Sequence, residues 1–198
     1  IYLSNYAFSE NVSGVNFTKI DDINYLAQAI LKVKAEANIK ARRVTASLPT
    51  FSVFSSIINL PPTDKKNMDA AVAEEAKKVI PLPVEEMILD WKMVPGTQED
   101  KEGARVFLTG SPKKLVRRYI EIFRLAKLEL ASLETETFSL VRGLMGNDPS
   151  TVMIVEIGAN STDLSVVQES IPVLNRSLEI CGGTVTTALA EKLGLSFN

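Results

Sequence analysis

Apolar positions recur along this chain with two periods, and the periods alternate. Ile23, Leu26, Ile30, Val33 and Ala37 fall three or four apart, one stripe of a helix. Asp21 or Asp22 sits at its start, where a carboxylate satisfies free N–H groups, and the helix is expected to stop near Asn38. Arg42–Pro49 then reads as a strand, and Phe51–Leu60 as another, ended by Pro61-Pro62 because proline cannot donate to a ladder. Thr63 is the expected cap of a helix whose apolar face is Met68, Ala71, Val72, Ala76, Val79 and Ile80; Pro81 and Pro83 stop it. Met87–Val94 and Ala104–Gly110 read as two strands around a charged loop, Gly96 to Gly103. Ser111 and Pro112 are expected to open a helix with Leu115, Val116, Tyr119, Phe123 and Ala126 inward and Lys113, Lys114, Arg117, Arg118 and Arg124 outward. That basic face can meet acidic lipid or an acidic partner, or simply be solvated. Leu128–Ser132 closes the unit as a strand.

Before and after this run the pattern differs. Residues 1–18, with Tyr2, Tyr6, Phe8, Val12, Val15 and Phe17, suggest one or two strands turning at Ser13-Gly14. After it, a helix through Phe138, Val141, Leu144 and Met145 ends at Gly146. Val152–Ile157 and Asp163–Val167 make a hairpin around Gly158-Ala159-Asn160-Ser161-Thr162, a third strand follows the Glu169-Ser170 turn, and Gly182-Gly183 lead into a helix with Val185, Leu189 and Leu193 that Gly194 closes. The fold class is therefore α/β. Residues 1–50 and 133–198 form a discontinuous outer subdomain, and 51–132 an inserted β-α-β-β-α-β module of two layers.

Composition narrows the chemistry. The 198 residues contain no histidine, which removes Ser-His-Asp and Cys-His catalysis and histidine metal sites. One cysteine, Cys181, excludes an internal disulfide and reads as a small buried hydrophobe. Net charge is −2, so nothing in the balance points to nucleic acid. No segment is apolar enough for long enough to span a bilayer. The chain opens IYLSNYAF without methionine and ends GLSFN, from which a piece of a longer protein is expected. The loop Gly158–Thr162 stands out: small residues leave successive N–H groups open, and such a turn can cradle an anion or be an ordinary polar hairpin loop.

Three segments carry a resemblance. EIGANSTDLSVV is similar to the second phosphate loop of the actin-like ATPase fold, D-I/V-G-A/G-x-x-T-x-L/I/V, through Gly158, Ala159, Thr162 and Leu164, with Glu156 at the Asp position. LEICGGTVTTALAEKLG resembles the Gly-rich corner beside the nucleotide ribose, and ETFSLVRGL resembles the E-P-x-x-A helix, with Thr137 in place of proline. The middle section resembles the PilM family of type IV pilus assembly proteins, through Glu75, Ala76, Ile80, Pro81, Pro83, Glu86, Asp90 and Trp91, and GSPKKLVRRYIEIFRLAKLELASLETETFSL continues the match. The family is related to the cell-division actin homologue FtsA.

The resemblance implies an actin-like (ribonuclease H-like) subdomain and a cleft for ATP and Mg²⁺. Gly158, Ala159, Asn160, Ser161 and Thr162 would hold phosphate, with Thr162 the hydroxyl candidate, and Gly182 and Gly183 would let the backbone approach the ribose. Glu156 would face magnesium through water, and Glu136 would orient an attacking water. Without the resemblance, Glu136 reads as an acid at a helix start and the glycine pair as helix-start geometry. The first phosphate loop is expected before Ile1 and the opposing half of the cleft beyond Asn198, so this chain by itself is expected to bind ATP weakly or not at all. The implied function is a cytoplasmic ATP-binding scaffold at the inner face of the membrane. It would dock the N-terminal cytoplasmic peptide of PilN in a groove between two subdomains and meet other pilus platform proteins. Membrane contact would be indirect, through partners, with self-association open and nucleic acid excluded. A division-type actin homologue, or an ATPase with turnover, is the alternative.

Overall fold

The structure is a computed structural model that describes residues 5–7, 22–94, 103–146 and 148–196. The strands expected before residue 18 and most of the charged loop after Gly96 lie outside these. The chain divides into two compact units, one of Ile1–Ala46 and Pro112–Glu134, the other of Ser47–Ser111 and Thr135–Asn198.

The first unit is built on two helices, α1 (Ile23–Glu36) and α3 (Lys113–Leu125), that pack on each other. The Asp22 carboxylate accepts from the Tyr25 N–H at 2.8 Å and so starts α1, as its position predicts. Both helices end alike. At α1, Asn38 takes φ 54° and Ile39 N–H reaches back to the Lys34 carbonyl. At α3, Lys127 takes φ 53° and Leu128 N–H reaches the Phe123 carbonyl. These left-handed caps satisfy carbonyls that the last turn leaves open. Beneath run β1 (Arg43–Leu48) and β5 (Glu129–Thr135), paired with each other.

One assignment on α3 is corrected. Arg118, placed on the outer face from its charge, is 7% exposed. It lies on the wall of an apolar cavity of about 420 Å³, with Leu26, Ile30, Val33, Tyr119 and Phe123. Leu115 and Arg118 are a turn apart, and the helix turns the long aliphatic stem of the arginine inward with its neighbours. The expected cap also shifts: the strand before the helix, Ala104–Pro112, runs on through Pro112, and no side chain caps α3.

In the second unit, β2 (Phe54–Leu60), β4 (Ala104–Pro112) and β3 (Met87–Met93) form a sheet in the order β2-β4-β3. The helix α2 (Met68–Val79) covers one face. Met68, Val72 and Ala76, at helical spacing, meet Ile58, Leu60, Val106 and Leu108, at strand spacing, in one buried cluster. Burial of each such side chain contributes about 1.5–3 kcal/mol. Trp91 packs against this cluster, and its indole N–H donates to Asp69 at 2.9 Å. Thr63 does not cap α2: its hydroxyl donates to the Pro61 carbonyl, and a 3₁₀ turn, Lys65–Asn67, intervenes. The element order β-α-β-β-α-β over 51–132 is present, but strand pairing divides it after β4. The fourth strand, β5, pairs with β1 and not with the three-stranded sheet.

The other face of that sheet carries Ile57 and Phe107, which pack with Phe138 and Ile171. The Phe107 and Phe138 rings meet edge to face at 5.6 Å, and the Lys92 ammonium lies 4.5 Å from the Phe138 ring centre. Phe138 belongs to α4 (Glu136–Leu140), which continues as a π turn, Val141–Met145, to Gly146 at φ 59°. An antiparallel sheet follows, β6 (Val152–Ile157), β7 (Thr162–Gln168) and β8 (Ile171–Leu178), and then α5 (Gly182–Leu193), closed by Gly194 in the left-handed region. Glu169 and Ser170 both take positive φ in the β7–β8 turn, the backbone a two-residue hairpin of matching twist requires. Among the described residues no helix is long and apolar enough to cross a membrane.

Candidate functional site

The loop between β6 and β7 and the start of α5 are one assembly. Gly158 N–H donates to the Ser161 carbonyl at 2.9 Å and closes the turn. Gly182 N–H donates to the Gly158 carbonyl at 2.8 Å, and Gly183 N–H to the Ala159 carbonyl at 3.0 Å. Two N–H groups that a helix start leaves open are thus taken up by the loop backbone. Both glycines are needed for this approach. A methyl at Gly182 would stand 3.1 Å from the Gly158 oxygen, and one at Gly183 would stand 2.7 Å from the Ala159 oxygen.

This bonding pattern sorts the donors. Those of Gly158, Gly182 and Gly183 are engaged within the chain. Among the described residues none accepts from the N–H groups of Ala159, Asn160 or Ser161. Ala159 and Asn160 are exposed, and Thr162 is half-buried at the first position of β7. Cys181, before the glycines, is buried as its type suggests, and the Thr184 N–H facing its thiol draws the thiol below its ordinary range.

Three carboxylates belong to the same unit. Glu156, half-buried near the end of β6, is the register partner of Asp163 on β7, so the two share a face of the hairpin. Asp163 is 5% exposed and accepts from the hydroxyls of Ser161, at 2.7 Å, and Ser177. One strand position along, on the same face, buried Ser165 shares a hydrogen bond of 3.3 Å with buried Thr137. Glu136 opens α4, and its Oε2 accepts from the Thr50 N–H at 3.0 Å. Burial first, and then the negative charges of Glu156 and Asp163, push its carboxyl above the usual glutamate range.

The structure therefore brings Gly158–Thr162 and Gly182-Gly183 into direct contact, and it puts Glu136 within electrostatic reach of Glu156. Asp163, Ser165 and Ser177 did not figure among the residues singled out from sequence. The signal for them is alternation: Asp163, Ser165 and Val167 are i, i+2 and i+4 on one strand, and antiparallel pairing aligns them with Glu156, Ile154 and Val152.

As a donor set, three N–H groups in succession and a neighbouring hydroxyl suit the oxygens of a phosphate. Among the described residues no group of three or more His, Cys, Asp or Glu side chains is arranged to hold a metal ion. The two Asp163 oxygens accept from Ser161 and Ser177, and Glu156 is the half-buried carboxylate beside them.

The PilM–PilN type IV pilus biogenesis complex contains a chain that matches over 96% of this one at TM-score 0.82 and 26% identity. This chain spans 59% of that chain's length. The cytoplasmic domain of EpsL, an inner-membrane component of the type II secretion system of Vibrio cholerae, matches 83% of this chain and 60% of its own at 0.57 and 9% identity. The ethanolamine utilization protein EutJ from Carboxydothermus hydrogenoformans matches 89% and 43% at 0.50 and 14% identity. The last two are likenesses of fold alone, and the three matches together show an actin-like α/β fold. The family model described as type IV pilus assembly protein PilM matches residues 6–198, nearly the whole chain, and on that ground this chain belongs to the PilM family.

Proposed function

We propose that this chain is the part of a cytoplasmic, actin-like scaffold of the type IV pilus inner-membrane platform that carries one phosphate-binding loop, and that it docks the short N-terminal cytoplasmic tail of PilN. The observation that carries the reading is the match to a chain of the PilM–PilN complex over 96% of these residues, together with the PilM family model. Contacts with further platform proteins and among copies of the chain belong to the same reading. Because the chain spans 59% of that relative, the activity of the whole protein is proposed with it.

In this reading ATP and Mg²⁺ are held by the residues whose chemistry suits them. Ala159, Asn160 and Ser161 offer N–H groups to phosphate oxygens, and Thr162 a hydroxyl. When bound, the hydrated magnesium neutralises phosphate charge. Glu156 would meet it through water, beside its register partner Asp163, which Ser161 and Ser177 hold in place. Gly182 and Gly183 fix the loop against α5, and a bound nucleotide's ribose would lie along their backbone. Glu136, with its carboxyl raised, is the candidate to orient a water. Its bond to the Thr50 N–H fixes the carboxyl, and in this reading hydrolysis is slow or absent.

Calorimetric titration of a synthetic PilN N-terminal peptide into the 198-residue chain tests the partner. Saturable binding that a scrambled peptide does not reproduce is expected. Absence of binding to chain with a normal thermal melt sinks the docking reading.

A further inference from the structure

The basic side of α3 has no part in the site above. Lys113, Arg117, Ile120 and Arg124 follow one another at intervals of four, three and four, a single stripe of this helix, and all are exposed. Lys114 flanks the stripe at one end and Lys127 at the other, both exposed. Arg42 and Arg43 join it at the far end, because Glu129 N–H, two residues beyond Lys127, donates to the Arg42 carbonyl at 2.8 Å. Among the described residues two acids lie by these cations: Glu121, bonded to Arg124, and Glu129, 3.5 Å from Arg43. Positive charge dominates along the whole helix, roughly 20 Å at 1.5 Å per residue.

We propose that this stripe is a docking surface for an anionic lipid bilayer, with α3 lying parallel to the membrane plane. Three features favour lipid over other polyanions. Lys113, Arg117 and Arg124 lie along one face of a straight helix, which suits a plane of headgroups. Ile120, 51% exposed, sits in the middle of the stripe. Against a hydrated acidic polypeptide an aliphatic side chain gains little, whereas at a bilayer it enters the boundary between headgroups and acyl chains. The stripe carries no aromatic side chain on which a nucleic-acid base could stack. The inference rests on charge and placement in the first unit, independently of PilN or ATP. It adds a direct lipid contact to a protein whose membrane association would otherwise pass through partners.

Co-sedimentation of the full chain with phosphatidylcholine vesicles, with and without about 30% phosphatidylglycerol, tests it. Binding is expected only with the anionic lipid, and it is expected to fade between about 0.05 and 0.5 M salt as the charges are screened. Lys114→Glu with Arg117→Glu should weaken it about tenfold or more. Lys77→Glu with Lys78→Glu, on α2, should leave it unchanged. Should the first pair melt early, Arg117→Gln with Lys127→Gln replaces it, with a smaller loss expected. Equal binding to neutral vesicles, no binding to anionic ones, or an unaffected α3 variant overturns the proposal. Capture by poly-glutamate without vesicle binding overturns it in favour of an acidic protein partner.

Discussion

Gly183 and Ala159 are joined backbone to backbone: the Gly183 N–H donates to the Ala159 carbonyl at 3.0 Å, and a methyl group on Gly183 would stand 2.7 Å from that same oxygen. The bond holds the loop on the start of α5, and glycine is what makes the approach possible. Gly183→Ala must therefore push the loop away and leave a carbonyl and an N–H without each other. A loss of about 1–3 kcal/mol is expected, read from urea unfolding. Gly182→Ala, at 3.1 Å from the Gly158 oxygen, is expected to cost less. Equal stability of Gly183→Ala and the unaltered chain would show that the contact is not needed.

Asp163 is a buried carboxylate that two serine hydroxyls satisfy. Asp163→Ala should destabilise the chain by about 1–3 kcal/mol, because both hydroxyls lose a charged acceptor. Ser177→Ala alone should cost less, since Ser161 remains. In a double-mutant cycle, the Asp163 and Ser177 double variant is expected to lose clearly less than the sum of the two single losses, because either change alone already breaks their bond. Additive losses would mean that the two groups do not act as a pair.

Glu136 gives a pH dependence. Its carboxyl is raised by burial and by the charges of Glu156 and Asp163, so between its unfolded and folded pKa the folded state binds more protons than the unfolded state. Stability then falls as pH rises through that window. Glu136→Gln keeps an oxygen for the Thr50 N–H and removes the charge. Its stability near neutral pH should equal or exceed that of the unaltered chain, with a shallower decline above pH 4.5. A steeper decline in the variant contradicts the assignment.

Arg117 and Arg118 are adjacent and should behave differently. Arg117 is exposed, and Arg117→Glu is expected to change stability by no more than about 0.5 kcal/mol. Arg118 is 7% exposed on the wall of an apolar cavity, and Arg118→Glu places a carboxylate there. A loss of about 3 kcal/mol or more is expected. Thermal melts of the two variants side by side check this, and equal melts would return Arg118 to the outer face.

Local chemistry made much of the chain legible. The Asp22 cap, the proline stop after α2 and the glycine end of α5 are decided by groups within a few residues of one another, and each stands where the sequence puts it. The Gly158–Thr162 loop and the family pattern around Ile80, Pro81 and Trp91 were readable for the same reason. The pairing of β5 with β1 was not, because strands of similar apolar content carry no local mark of their partner. Nor was the π turn after α4, which inserts its extra residue without a change of composition.

The sequence by itself determined the order of helices and strands, the absence of histidine chemistry, the Gly158–Thr162 turn and the family. Tertiary structure alone decided which donors of that loop stay open and which the chain uses itself. It turned Asp163 and Ser165 inward, where composition would put Leu164 and Val166, because Ser161, Ser177 and Thr137 satisfy them there. It also buried Arg118 while leaving Arg117 in water. Burial of a polar group depends on partners distant in the chain, and only folding brings those partners to hydrogen-bond distance.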